Sequence, residues 1–184
     1  FIMTPLVHLY LLFGKVTEKK KYNLHRVLHF MSEFVLKIHG IPGLKYTESN
    51  KYGEDFSKPA VLICNHQSHL DLMPMLALTP KIIVLTADWV WKNPMYRFTI
   101  RNAEFLPATH GMDAIMPQLK SLVERGYSIC VYPEGTRSED LSIRRFHQGA
   151  FHISRTLGVD IIPMVIYGTG RALPKHGRLL RKWP

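Results

Sequence analysis

Residues 60–78 read AVLICNHQSHLDLMPMLAL, which is an apolar run, a polar heptad and a second apolar run. The first run, Ala60–Cys64, is short and continuous, as is typical of a strand buried on both faces of a parallel sheet. The second run, Leu72–Leu78, predicts a helix, because Pro74 is tolerated in the first turn. The heptad therefore lies where a strand ends and a helix begins, the place where open α/β sheets bind their ligands.

Two residues of the heptad, His66 and Asp71, have the chemistry of a general base and the group that orients it. An imidazole titrates near neutral pH, and a carboxylate beside it can fix its tautomer and stabilise the imidazolium formed on proton abstraction. On one continuous helix, residues five apart point about 140° away from each other, so contact requires His66 in the turn and Asp71 at the helix start. The alternative is that Asn65, Ser68 or Asp71 merely caps the helix and His66 is an ordinary loop residue.

A second polar motif follows another predicted strand. Tyr127–Tyr132 is an apolar run, and it ends in residues 133–138, which read PEGTRS. Taken alone, this motif is typical of a strand-ending turn with a surface salt bridge. The presence of the first motif in the same chain makes that interpretation less favoured. We expect one pocket in which the His66 imidazole, backed by Asp71, faces the guanidinium of Arg137.

Together and in this order, N-H-x-S-x-L-D and P-E-G-T-R-S resemble the motifs of the glycerolipid acyltransferases of the lysophosphatidic acid acyltransferase type. The resemblance covers the chain from about Val61 to Tyr167. It implies a membrane-associated enzyme of phospholipid biosynthesis. Such an enzyme moves a fatty acyl group from acyl-CoA or acyl carrier protein to the hydroxyl of a lysophospholipid or related lipid acceptor. The implied catalytic residues are His66 and Asp71. The implied substrate-binding residues are Glu134, Gly135, Thr136 and Arg137.

The residue types suit this chemistry. His66 can take the proton of the acceptor hydroxyl, whose oxygen then attacks the thioester directly, so that no acyl-enzyme and no cofactor is needed. Gly135 lets backbone N–H groups approach an anion, and Arg137 offers a planar fork for phosphate or carboxylate. Thr136 adds a hydroxyl donor. Glu134 is unusual at an anion site, and we expect it either to hold Arg137 or to bind an acceptor hydroxyl.

The chain departs from the family pattern at Ala108, where the resemblance predicts an arginine that contacts the phosphate of the acceptor. This departure argues against lysophosphatidic acid as the acceptor and keeps an amino-acid-based lipid open. Arg101 or His110 could take the missing role. After the second motif, His147 replaces the lysine that is usual in the family.

Length predicts one domain with an N-terminal appendage. The 184 residues are predicted to form a helical segment, residues 1–43, and an acyltransferase α/β domain, residues 44–184. Because the sequence begins with Phe1 and ends at Pro184 without a closing element, it is consistent with a piece of a longer protein. Both cysteines, Cys64 and Cys130, lie in apolar strands and are expected to be core residues.

The net charge of +10 predicts anionic partners. Nucleic acid, anionic lipid headgroups and a phosphorylated substrate all satisfy this expectation. Since no base-reading motif is present, nucleic acid is not an expected partner. Neither the spacing of His66, His69 and Asp71 nor a further cluster of ligands favours a metal site.

The N-terminal segment predicts contact with an anionic membrane surface. Phe1–Gly14 is apolar but too short to span a bilayer unaided. Four lysines follow within Lys15–Lys21, as expected beside anionic lipid. From Leu24 to Ile38 apolar residues recur at helical spacing, with His25 and Ser32 on the polar face. This stripe could instead pack on the domain, but the leader and the lysines favour membrane contact, at the cytoplasmic face of the cell membrane.

Strands and helices alternate over the rest of the chain. The pattern predicts further strands at Ile82–Leu85, Ala103–Pro107 and Ile161–Ile166, and helices at Asn93–Arg101, Asp113–Arg125 and Gln148–Leu157. A strand or hairpin is expected in residues 46–58. This alternation is typical of an α/β fold with a mainly parallel or mixed sheet flanked by helices.

Other functions stay open on the sequence. A non-catalytic basic module could bind anionic membranes through residues 1–38. A lipid thioesterase or hydrolase would release free fatty acid and acylate no lipid. A nucleic-acid binder rests on the net charge alone.

Overall fold

One parallel sheet organises the part of the chain that the computed structural model describes, residues 15–39 and 45–177. Its strands are β1 (Ala60–Cys64), β2 (Ile82–Thr86), β3 (Leu106–Pro107), β4 (Ser128–Val131) and β5 (Asp160–Met164). The order across the sheet is β3-β2-β4-β1-β5, and all neighbouring strands are parallel. The predicted α/β fold is confirmed, and within the described residues the sheet is wholly parallel.

Seven α-helices of the described residues connect and cover the strands. They are α1 (Glu18–Glu33, continued by a π-helical turn, Phe34–His39), α2 (Leu72–Leu76), α3 (Asp88–Lys92), α4 (Pro94–Asn102), α5 (Met112–Glu124), α6 (Gly149–Leu157) and α7 (Thr169–Ala172). The Thr17 hydroxyl caps α1 by accepting a hydrogen bond from the Lys20 N–H. Gly158 ends α6 in the left-handed region, with φ of 66°.

The order of the strands places the two polar motifs side by side. β1 lies between β4 and β5, and Leu62 is opposite Cys130 on one side and Ile162 on the other. Because parallel strands end at the same edge of a sheet, the segments that follow β1 and β4 emerge together. Fully buried side chains from the strands and helices form the core below this edge: Val61, Leu62, Ile83, Leu119, Ile129 and Ile153.

The two cysteines are core residues, as predicted. Cys64 and Cys130 lie in β1 and β4 and are buried. Burial raises the pKa of both thiols, that of Cys130 to about 12. Neither is therefore a thiolate near neutral pH, so neither has the character of a catalytic nucleophile.

Two strand predictions differ from the structure. Residues 46–58 contain no strand, because the Asn50 side chain bonds both the N–H and the C=O of Glu54 and forms a local turn instead. The strand predicted at 103–107 is reduced to Leu106–Pro107. Glu104 adopts a left-handed φ of 53° after α4, and its carboxylate pairs with Arg125, so the chain is still turning at this position.

The polar face of α1 is also not where the sequence predicts it. His25 and Ser32 are buried. The His25 ring lies between Phe105 and Tyr127, with centroid distances of 6.0 and 5.1 Å. Burial lowers the pKa of His25 to about 4, so the ring is neutral at pH 7. The alternation of apolar and polar residues along α1 could not predict this burial. It depends on Phe105 and Tyr127, which lie on other elements and pack against the neutral imidazole.

The predicted apolar leader, residues 1–14, and the predicted helix end at residues 40–43 lie outside the described residues. Within the described ranges, no helix has the length and apolar character needed to cross a bilayer.

Lys21 and Arg125 both bond the Glu104 carboxylate, which fastens α1 to the sheet domain.

Candidate active site

His66 and Asp71 meet at the carboxyl end of β1. His66 Nδ1 lies 2.8 Å from Asp71 Oδ2. The contact forms as the sequence requires, because residues 65–68 are non-helical and Asp71 belongs to a 3₁₀ turn, His69–Asp71, that leads into α2. Asp71 is fully buried, whereas the His66 side chain keeps 22% of its surface exposed. A substrate can therefore reach the imidazole but not the carboxylate behind it.

Asp71 also holds the turn that carries His66. Its Oδ2 accepts hydrogen bonds from the backbone N–H groups of Gln67 and Ser68, at 2.7 and 2.8 Å. Ser68 accepts a bond from the Leu70 N–H, which completes a capping box around the turn. Capping and contact with His66 are thus not alternatives, since one carboxylate does both.

The contact with Asp71 orients the imidazole. Because Nδ1 faces a carboxylate, it carries the ring proton, and Nε2 is left as the acceptor. Tyr132 stacks on the ring with a centroid distance of 4.2 Å and an interplanar angle of 23°. The ring is therefore fixed both in its plane and in its tautomer.

Glu134 joins the two motifs through their backbones. It is buried, and its Oε1 accepts from the His66 N–H at 2.9 Å while its Oε2 accepts from the Arg144 N–H at 3.1 Å. The His66 C=O accepts in turn from the Ser138 N–H at 2.7 Å. The expectation that Glu134 holds Arg137 is wrong, because both of its oxygens bind backbone N–H groups. Its binding of an acceptor hydroxyl stays a prediction.

Gly135 and Thr136 form the exposed tip of the second motif. Gly135 has φ of 70°, a conformation that suits glycine. A Cβ at this position would lie 3.4 Å from the His147 ring, so a larger residue would crowd that neighbour as well. His147, in turn, donates its backbone N–H to the C=O of Pro133 at 2.8 Å.

Arg137 is partly buried and lies in the electrostatic range of the first motif. Burial lowers the pKa of its guanidinium, and the charge of Asp71 opposes that change. Burial also lowers the pKa of His69, and the charges of Arg137 and His66 act in the same direction. The guanidinium Nη1 donates to the C=O of Lys175 at 2.9 Å. That bond engages one of the five N–H groups of the side chain.

A cavity of about 310 Å³ opens beside the turn, on the side of Gln67. It is lined by Gln67, Asp140, Leu141, Ser142, Tyr167, Gly168 and Arg171. Neither the His66 ring nor Arg137 lines it, so it is not the pocket expected between these two residues. It adjoins that site through Gln67, whose Nε2 donates to the C=O of Leu141 at 2.8 Å.

The sequence did not predict the contact of Thr169 with Asp71. Its hydroxyl donates to Asp71 Oδ1. Tyr132 and Thr169 carried no signal in the sequence, because Tyr132 resembles a strand residue and Thr169 follows the last predicted strand by only a few positions. A hydroxyl or a tyrosine on a neighbouring strand end is recognised only once the strand order is known.

Ala108 lies in a 3₁₀ turn, Ala108–His110, directly after β3. It is exposed, as are the two residues that could supply the missing cation, Arg101 at the end of α4 and His110 in the same turn. The prediction that one of them replaces the absent arginine stays a prediction.

A family model described as "Acyltransferase" matches residues 38–167 of this chain. A chloroplastic 1-acyl-sn-glycerol-3-phosphate acyltransferase of Arabidopsis thaliana is 30% identical over 121 residues, which cover 63% of this chain and 34% of the relative. The alpha form of the Homo sapiens enzyme of the same name is 32% identical over 116 residues, or 60% and 41% of the two chains. The chain thus spans between a third and a half of the length of these curated relatives.

The fold resembles a solved structure, that of the 1-acyl-sn-glycerophosphate acyltransferase PlsC from Thermotoga maritima. The TM-score is 0.67 at 21% sequence identity, and the match covers 95% of this chain and 70% of that one. At this identity the likeness supports the fold.

Proposed function

The chain belongs to the acyltransferase family, as its two motifs predict, and on this premise we propose that it acylates a lysophospholipid or a related lipid. The acyl donor in this proposal is acyl-CoA or acyl carrier protein, and the acceptor is the lipid's free hydroxyl. The observation that carries the proposal is the 2.8 Å contact between a partly exposed imidazole and a fully buried carboxylate, beside the motif that contains Arg137. The names of the relatives point to glycerol phosphate lipids as the acceptor class.

In the proposed reaction His66 acts as the general base. Its Nε2 takes the proton of the acceptor hydroxyl as the oxygen attacks the carbonyl carbon of the thioester. The C–O bond forms, the C–S bond breaks, and the proton on His66 passes to the leaving thiolate. Asp71 stabilises the imidazolium that exists between these events. The acyl group thus moves directly, and the raised thiol pKa values of Cys64 and Cys130 agree with a site without a cysteine nucleophile.

Arg137 is the group we propose for the acceptor's anionic headgroup. Its planar guanidinium can bind two phosphate oxygens at once, and only one of its N–H groups is engaged by Lys175. The net charge of +10 supports an anionic substrate at long range. Because Ala108 stands where the family has an arginine, Arg137 would carry more of this binding than in relatives that have both cations.

Replacing Arg137 by alanine is expected to raise the KM for a phosphate-bearing lysolipid about 10- to 100-fold, since charge-assisted hydrogen bonds are worth about 1.5–3 kcal/mol. The KM for the thioester donor should change little. Steady-state kinetics with each substrate varied in turn make this measurement, with Arg137→Lys as the variant that keeps the charge but loses the fork. Arg155→Ala, at an exposed position of α6, is the matched control. An unchanged acceptor KM in Arg137→Ala would assign the headgroup to another residue.

We also propose that α1 contacts the membrane that holds the acceptor. Val27 and Phe30 are three residues apart and so share a helix face, and Phe30 is 60% exposed. Lys15 and Lys19 are exposed just before this face. Both features favour an anionic lipid surface over water alone.

Phe30→Ser is expected to weaken binding to vesicles of phosphatidylglycerol and phosphatidylcholine about 10- to 100-fold, because a buried phenylalanine side chain is worth about 1.5–3 kcal/mol. Co-sedimentation measures the bound fraction. Phe151→Ser changes an exposed phenylalanine of α6 and should leave binding as it is. Equal losses in both variants, or none in Phe30→Ser, would contradict contact through α1.

Product analysis tests the proposed function as a whole. A panel of lysolipids, with phosphate, zwitterionic and amino-acid headgroups, is offered with acyl-CoA and with acyl-loaded carrier protein. Mass spectrometry is expected to detect an acylated lipid with at least one pair. Free fatty acid in its place would indicate a thioesterase. Vesicle binding without consumption of any thioester would indicate a non-catalytic membrane module.

A further inference from the structure

The segment that follows β5 packs against the turn that carries the proposed catalytic pair. The Thr169 hydroxyl donates to Asp71 Oδ1, and the Ser68 hydroxyl donates to the C=O of Leu173 at 2.8 Å. Gly170 lies so close that a Cβ there would come within 2.8 Å of the Gln67 side chain. Gly168, with φ of 91°, lets the chain turn sharply into this position. Residues 168–173 therefore form a support for the turn, and they lie beyond the part of the chain that the family model matches.

The hydrogen bonds of the Asp71 carboxylate divide unevenly between its two oxygens. Oδ2 accepts from His66 Nδ1 and from the N–H groups of Gln67 and Ser68. Oδ1 accepts from Thr169, its one hydrogen-bond donor among the described residues. Because Asp71 is fully buried, water cannot replace a lost donor without a structural change. Among the described residues, one hydroxyl is thus the hydrogen-bond donor that stabilises Oδ1.

We propose that Thr169 is a positioning residue whose hydroxyl keeps Asp71 ionised and oriented, so that His66 stays a neutral base with its proton on Nδ1. A hydrogen bond to a carboxylate stabilises the charged form, and this one also withdraws electron density from the oxygen that faces the imidazole. Both effects oppose the uptake of a proton by the pair. Removing the hydroxyl should therefore let the pair bind a proton at higher pH, whichever of the two residues then carries it.

Other charged and titratable groups face the pair and stay unchanged by a substitution at Thr169. They are His69 on the same turn, Cys64 at the end of β1, Cys130 and Tyr132 in and after β4, and Glu134 and Arg137 in the second motif. Burial raises the pKa of the Tyr132 hydroxyl well above its usual range, as it does for both thiols, so these three stay neutral. The comparison of variants at Thr169 therefore isolates one hydrogen bond in a constant surrounding.

Thr169→Val keeps the shape of the side chain and removes the donor. We expect the acid limb of the pH profile of kcat/KM to move to higher pH and the value at pH 7 to fall about tenfold. The high-pH plateau should be reduced less, because the base is free there. Thr169→Ser restores a hydroxyl and should return the limb to the position of the unmodified protein. A merely structural role would lower the profile evenly at all pH values.

The matched control is Thr109→Val, which removes a hydroxyl that donates to the carboxylate of Asp88 after another strand. It should leave the pH profile unchanged. Circular dichroism and thermal unfolding of each variant establish that it is folded. If Thr169→Val does not fold, Thr169→Ala, which also removes the hydroxyl, provides the same comparison of profile shape against Thr169→Ser.

The rate measurements rest on the proposed acyl transfer, and a second measurement does not. Nitrogen chemical shifts of the His66 ring, assigned by their loss in His66→Gln, report its tautomer whether or not the protein is active. The unmodified protein should show a protonated Nδ1, and Thr169→Val a mixed or protonated ring at the same pH. An identical ring signature in both would overturn the role of Thr169 and leave the proposed function intact. A shifted ring signature in a protein that transfers no acyl group would support the role of Thr169 and contradict the proposed function.

Discussion

Replacing His66 by alanine is expected to reduce kcat/KM for acyl transfer by about 10²–10⁴-fold, the usual contribution of a positioned general base. The reason is geometric. His66 is the partly exposed member of the pair, and its Nε2 is the acceptor because Nδ1 faces Asp71. The loss should appear in kcat as well as in kcat/KM, since the substituted enzyme can bind both substrates but cannot remove the proton. The assay follows thiol release together with the acylated lipid.

The matched control for this change is His152→Ala, which removes an exposed histidine of α6. It should retain full activity. Thermal unfolding should show His66→Ala folded, because the Glu134 carboxylate bonds the backbone N–H of residue 66 and not its side chain. Turnover within twofold of the unmodified protein would remove His66 from the reaction.

Asp71→Asn is the second change expected to have a large effect, on the order of 10³–10⁴-fold in kcat, since the equivalent change in a Ser-His-Asp triad costs about 10⁴-fold. In Ser-His-Asp triads the equivalent change disturbs the tautomer and removes the charge that stabilises the imidazolium. The amide oxygen can still accept from the Gln67 and Ser68 N–H groups, and the amide nitrogen can donate to the Thr169 hydroxyl. The turn should therefore survive at a cost of about 1–3 kcal/mol in the free energy of unfolding.

Urea denaturation measures that stability cost, and a kinetic assay measures the rate. Asp113→Asn changes an exposed carboxylate in the first turn of α5 and should alter neither quantity. A modest loss of activity that parallels the loss of stability would reduce Asp71 to a capping residue. A large loss of kcat in a folded protein would support its role behind His66.

The sequence predicts the elements that place the site because their signals are local. Ala60–Cys64 is an apolar run bounded by a polar heptad, and its predicted bounds agree with β1. The contact of His66 with Asp71 also follows from local geometry, since five positions along a tight turn bring the two side chains together. The family resemblance, which covers most of the chain, is confirmed by the family model that matches residues 38–167. The sequence alone indicates it because both motifs are short and contiguous.

What the sequence could not predict depends on which strands are neighbours. Glu134 contacts the His66 backbone only because β4 lies beside β1, and Thr169 contacts Asp71 only because β5 lies on the other side. His25 reached the interior because Phe105 and Tyr127, from distant parts of the chain, form its walls. Such partners are set by strand order and register, which hydrophobic periodicity does not encode.

Local polar chemistry also overrode one prediction of regular structure. The polar stretch 46–58 is predicted to form a strand or hairpin, but Asn50 bonds the backbone of Glu54 and Asp55 bonds the N–H of Ser57. These side chains satisfy the backbone without a neighbouring strand. The expected hairpin at the edge of the domain is replaced by turns.

In the proposed reaction, the acceptor oxygen attacks the thioester directly while His66 takes its proton. The most direct test is to measure thioester consumption with and without a lysolipid, together with the intact mass of the protein. If the acyl group moves directly, consumption requires the acceptor, one acylated lipid forms for each thiol released, and the protein mass never increases by an acyl group. Thioester consumption without acceptor, accompanied by a protein that carries the acyl chain, would contradict direct transfer.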